Sequence, residues 1–71
     1  MLTEVLYIGD RLREIRKRSL MTQEQLAERS GVAVSTIIRI ERNRVEPQGS
    51  TIRKLAEALG VDPHELVKRE E

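Results

Sequence analysis

Residues 22–42 read TQEQLAERSGVAVSTIIRIER, and the spacing of capping, apolar and glycine positions in this stretch decides how the chain folds. Thr22 and Gln25 have the spacing of a capping box: the threonine oxygen accepts from the amide three residues on, and the glutamine side chain reaches back to the threonine amide. A helix is therefore predicted to start at Gln23, with Met21 placed to staple onto Leu26. Gly31 follows the last turn of that helix, where the backbone commonly takes a positive φ and a side chain is penalised. The helix ends there. A second helix is predicted from about Val34 to Arg42. At about 100° per residue, Thr36, Ile37 and Ile40 share one face, while Val34, Ser35, Ile38, Arg39 and Arg42 share the other. Leu26 and Ala27 supply the facing side of the first helix, and the small Ala27 lets the two cross closely. Two short helices joined by a glycine turn in this way have helix-turn-helix geometry.

The blocks Gln23-Glu24-x-Leu26-Ala27, Gly31-Val32, Ser35-Thr36-Ile37, Arg39-Ile40-Glu41 and Pro47 stand between Leu12-Arg13-Glu14-Ile15-Arg16 and Leu55-Ala56-x-Ala58-Leu59-Gly60-Val61. In that order and spacing they resemble the phage repressor and Cro-like family of DNA-binding regulators, also called the xenobiotic-response-element family. The likeness spans about Ile8 to Val67. It implies an all-α, compact five-helix bundle of the lambda repressor-like kind, acting as a small transcription regulator or repressor on double-stranded DNA.

The rest of the chain reads as support for the central motif. Its 71 residues have room for one domain, and a core of that size is marginal unless the helices pack well or a partner adds area. With one Tyr and no Phe or Trp, that core must be built from Leu, Ile, Val and Ala. The lack of cysteine excludes disulfide and thiolate–metal staples and fits a reducing compartment. No apolar run has the length of a signal peptide or membrane span, so a soluble, cytoplasmic protein is expected. The net charge of +1 argues nothing about nucleic acid, but its distribution does. Residues 1–54 carry a net +4 and residues 55–71 a net −3, which would orient the molecule on a polyanion.

Residues 1–7 read as an N-terminal extension that packs over the bundle or lengthens the first helix, with a dimer contact as the competing use. The domain proper is expected over residues 8–71. A helix is predicted from Ile8 or Asp10 to Ser19, with Ile8, Leu12 and Ile15 on its apolar stripe. Arg16 lies near that stripe, an odd place for a charge without a partner. Glu41, at the edge of the buried face of the second motif helix, is the candidate partner, and the resemblance implies the same ion pair. Two snorkelling surface charges are the alternative.

After Arg42, Asn43 stands where the family most often has Gly, at a left-handed cap that Asn tolerates well. Residues 43–49 form a loop. A fourth helix is predicted from Ser50 or Thr51 to Leu59, capped by Gly60, with a loose start because Gly49 stands where the family often has an apolar residue. The last helix has Asp62 as N-cap, Pro63 at its first position, Glu65 at its third and Val61 stapled to Leu66. It is expected to fade by Arg69 or Glu70.

Catalysis has little to stand on, since His64 is the only histidine and no phosphate-cradling glycine loop or apolar carboxylate pair is present. No enzyme activity, cofactor or metal is expected. DNA binding rests on more. Val34 and Ile38 are awkward on a solvated face but sensible in a major groove, where a thymine methyl is read by apolar contact. Arg39 can fork onto guanine, and Ser35 can donate or accept. Packing of Val34 and Ile38 against the N-terminal segment or another subunit is the alternative, and the resemblance favours the groove, because it places Val34, Ser35 and Arg39 at base-reading positions. It also places Gln23 at a phosphate-binding position, with the helix N-terminus adding amides and dipole. Arg13, Arg42 and Arg44 are further candidates for the DNA backbone. Ala33 departs from the family's usual Ser or Thr, which removes a helix cap.

One short helix reads only a few base pairs, so a homodimer on a palindromic operator is expected. Its interface would come from the last helix, where Val67 is expected to face outward, from the end of the fourth helix or from the N-terminal apolar residues. A protein-interaction module that keeps this fold, such as an antitoxin-like partner or a fragment of a larger regulator, is the competing class.

Overall fold

Apolar residues three and four apart on successive helices meet in one core, and the computed structural model describes it over residues 7–67. Five helices build it: α1 (Gly9–Arg18), α2 (Gln23–Ser30), α3 (Val34–Glu41), α4 (Gly49–Leu59) and α5 (Pro63–Val67), with no strand among the described residues. Leu12, Leu26, Ile37, Ile40, Leu55 and Leu66 are the largest fully buried side chains, and Ile8, Ile15, Val32, Ile52, Ala56 and Leu59 complete the cluster. Each helix contributes the stripe that its sequence periodicity marks. α2 packs on α3 and α4, while α1 spans α3 and α5.

The local signals at the helix ends are realised as backbone geometry. Thr22 Oγ1 accepts from Gln25 N at 3.0 Å, and Gln25 Oε1 accepts from Thr22 N at 2.9 Å, so both halves of the capping box form. Gly31 (φ 76°) ends α2 and Gly60 (φ 71°) ends α4, both left-handed. Asn43 takes the same conformation, φ 57°, just beyond α3. Asp62 Oδ1 accepts from His64 N at 2.8 Å and caps α5. α4 starts one residue earlier than Ser50, at Gly49, with no side-chain cap from Gln48. Val67 does not face outward: it is half-buried against the core, because α5 turns that edge toward α4 and α1. The expected end of the last helix and residues 1–6 of the N-terminal extension lie outside the described residues, and Tyr7 is exposed.

Leu20 breaks the pattern of the other helix ends. It follows α1 with φ 59° and is 89% exposed. Leu20 N donates to Lys17 O at 3.0 Å and Met21 N to Arg16 O at 3.2 Å, the paired bonds of a Schellman motif whose left-handed residue is usually Gly or Asn. A leucine there bears backbone strain with no packing in return. Leu20→Asn should raise stability by about 0.5 to 1 kcal/mol, read as a higher midpoint in urea at unchanged slope. A lower midpoint would show that the Leu20 side chain stabilises the fold despite its exposure.

Candidate nucleic-acid interface

α3 has two faces. Ile37, Ile40 and Glu41 are buried against α1 and α2, and Thr36 is half-buried. On the other side Ser35, Arg39 and Arg42 are exposed, and Val34 and Ile38 are half-buried. Ser35, Ile38, Arg39, Arg42 and Arg44 line one open depression, so three arginines share it with an apolar residue and a serine. Such a surface can meet an anionic polymer with its arginines while Ile38 contacts an apolar group at its centre. Val34 lies one turn before Ile38 at the start of the same helix.

The start of α3 is unsupported by any side chain. Ala33 holds the non-helical N-cap geometry (φ −59°, ψ 141°) and its carbonyl accepts from Thr36 N at 3.0 Å, yet it has no side-chain oxygen to offer the other first-turn amides. Ala33→Ser should stabilise the domain by about 1 kcal/mol, seen as a rise in thermal midpoint. An unchanged midpoint would mean that water already satisfies those amides equally well.

Beneath α3 lies a hydrogen-bonded ion pair. Arg16 Nε and Nη2 donate to Glu41 Oε2 and Oε1 at 2.7 and 3.0 Å, and Arg16 Nη1 donates to Met21 O at 2.8 Å. The two side chains are 10% and 4% exposed, which makes them a buried bidentate pair and excludes solvated surface charges. The hydrogen bonds to Glu41 hold the Arg16 guanidinium above its ordinary pKa, against the opposing effect of burial and with help from the charges of Glu41 and Glu24. Gln23 Nε2 adds a third donor to the same carboxylate, 3.1 Å from Oε1. One carboxylate thus joins α1, the first turn of α2 and the last turn of α3.

Gln23 is therefore half-buried and already engaged, at the first position of α2. Arg42 and Arg44 are exposed just beyond α3. Arg13 is placed differently. Its Nη2 donates to Glu41 O at 2.8 Å and pairs with Asp10 Oδ1 at 3.3 Å, so it is drawn to the C-terminus of α3. Sequence reasoning also missed Asn43 Oδ1, which accepts from Gly9 N at 2.9 Å, and Arg11, which donates to Glu65 O at 2.8 Å and Glu65 Oε1 at 3.1 Å. The only hint of the first was a glycine at the start of a helix. A Cβ on Gly9 would collide with Asn43 Oδ1 and Ile40 O and come within 2.7 Å of Glu41 O.

Two crossed helices over a shared ion pair, with an arginine-rich outer face on the second, define a helix-turn-helix protein. The chain belongs to the helix-turn-helix family, whose profile it matches over residues 12–66. It is 40% identical over 63 residues to the immunity repressor protein of Bacillus phage phi105, covering 89% of this chain and 44% of the repressor. It is 47% identical over 58 residues to the HTH-type transcriptional repressor RghR of Bacillus subtilis, covering 80% of this chain and 42% of that protein. The chain thus spans less than half the length of these two relatives. Among solved structures it resembles the restriction-modification controller protein C.AhdI from Aeromonas hydrophila, with a TM-score of 0.81, 39% identity and coverage of 86% of this chain and 92% of that one. It also resembles the P22 c2 repressor in complex with a synthetic operator, with a TM-score of 0.80, 32% identity and coverage of 96% and 100%.

Proposed function

We propose that this chain binds double-stranded DNA sequence-specifically as part of a transcription regulator, with α3 in the major groove. The observation that carries the reading is the outer face of α3, where Ser35, Ile38 and Arg39 share one depression with Arg42 and Arg44. Arg39 reads guanine through O6 and N7, Val34 and Ile38 contact thymine methyls, and Ser35 donates or accepts at a base edge. Gln23, with the free amides of the α2 N-terminus, and Arg42 and Arg44 hold phosphates and fix the register. The protein acts by occupying its site, and no bond is made or broken.

The functional unit is a two-fold dimer on a palindromic operator, with half-sites about 34 Å apart, because one eight-residue helix spans too few base pairs to select a site alone. A solved neighbour that is a repressor in complex with a synthetic operator supports binding to operator DNA. No helix of the described residues is long and apolar enough to cross a membrane, which accords with action on DNA in the cytoplasm. Footprinting on genomic fragments provides the test. A protected palindrome is the expected result, and no protection even at low salt would sink the reading.

A further inference from the structure

The C-terminus of α3 is completed by another helix. A helix leaves its last carbonyls without intrahelical partners, and here each has a donor. Ile38 O accepts from Arg42 N at 3.1 Å, Arg39 O from Arg44 N at 2.9 Å and Ile40 O from Asn43 N at 2.9 Å. The turn that makes these bonds cannot reach Glu41 O, and the Arg13 guanidinium of α1 supplies that bond at 2.8 Å. A cation at this end also complements the helix dipole. The reverse holds at the start of α1. Gly9 N, a first-turn donor of a buried residue, goes to Asn43 Oδ1 at 2.9 Å, and no side chain fits on Gly9 to separate the two helices.

We propose that this reciprocal cap between the start of α1 and the end of α3 sets the attitude of the recognition helix, which makes Arg13 and Asn43 positioning residues and removes Arg13 from the phosphate contacts. The inference rests on the DNA-binding reading above. Arg42 and Arg44 sit on the turn that the cap closes, so their reach toward phosphates depends on bonds made on its inner side. A phosphate drawing Arg13 away would leave Glu41 O without its donor. Asp10, one turn back on α1, holds the guanidinium in place.

The test compares wild type, Arg13→Met and Asn43→Gly on a selected cognate duplex across a salt series, together with backbone amide shifts of each free protein. Arg13→Met should weaken binding on the order of tenfold, the scale of one charge-assisted hydrogen bond. Its log–log salt slope should stay within about 0.3 of wild type, and the Asn43 and Arg44 amides should shift without DNA. Asn43→Gly keeps the left-handed backbone and changes no charge, so it folds and isolates the cap; it should weaken binding by about threefold or more at the same slope. A slope shallower by about 1 per subunit in Arg13→Met, with the free-protein amides unmoved, would make Arg13 a phosphate ligand and overturn the proposal. So would wild-type affinity in Asn43→Gly. Absence of salt-dependent binding by wild type would instead refute the DNA-binding reading itself.

Discussion

Glu41→Ala is expected to lower the unfolding free energy by about 3 to 5 kcal/mol, a large share of what a small domain has. The substitution strands the Arg16 guanidinium, 10% exposed and held between α1 and α3, with only Met21 O as acceptor. It also frees the Gln23 amide from its bond to Oε1. Most of the cost is therefore an unpaired buried cation, and the net contribution of the pair is smaller. A double-mutant cycle with Arg16→Met, Glu41→Leu and the combined variant separates the two. Each single change should be strongly destabilising and the pair much less so, giving a coupling of about 2 kcal/mol or more. Additive losses would show that the ion pair contributes nothing beyond packing. Because Arg16 is held above its ordinary pKa, its contribution is present below its unfolded pKa and is lost only as pH rises through a still higher folded value. Both lie far above neutrality, so the arginine adds no pH dependence in the working range.

Arg39→Ala should cost about 1 to 3 kcal/mol on the cognate duplex and little on a scrambled one, if α3 lies in the groove as proposed. Arg39 is exposed in the last turn of α3 beside Ile38, and in the proposed pose its long side chain would reach base edges. Arg44 lies past the end of the helix, where in the proposed pose the chain would leave the groove and meet the DNA backbone. Arg44→Ala should weaken both duplexes alike and make the salt dependence shallower by about one unit of log–log slope for every phosphate that a subunit no longer neutralises. The measurement is the affinity of each variant for both duplexes across a salt series. Equal weakening of both by Arg39→Ala would make it a phosphate clamp and leave base reading to Val34, Ser35 and Ile38.

What the sequence determined by itself is what local chemistry determines. The Thr22–Gln25 box, the left-handed residues at 31, 43 and 60, and the Asp62 cap involve partners within a few positions. The 3.6-residue period likewise places Leu12, Ile37, Ile40 and Leu55 inside without knowledge of their neighbours. Even the pairing of Arg16 with Glu41 was open to inference, because a charge beside an apolar stripe needs a counter-charge. Whether the pair would be buried or solvated was not, since burial is set by how α1 and α3 cross, 25 residues apart in the chain.

The tertiary structure alone decided where Arg13 points, why Gly9 lacks a side chain, and that Gln23 is tied to Glu41. The first two arise between residues 28 and 34 positions apart. Sequence spacing gives each residue a face on its own helix, but carries no record of which carbonyl or amide another helix will bring opposite it. It named Arg13 only as a candidate for a phosphate. The position of α1 across the end of α3 brings Glu41 O within 2.8 Å of that guanidinium, a contact no spacing along the chain records.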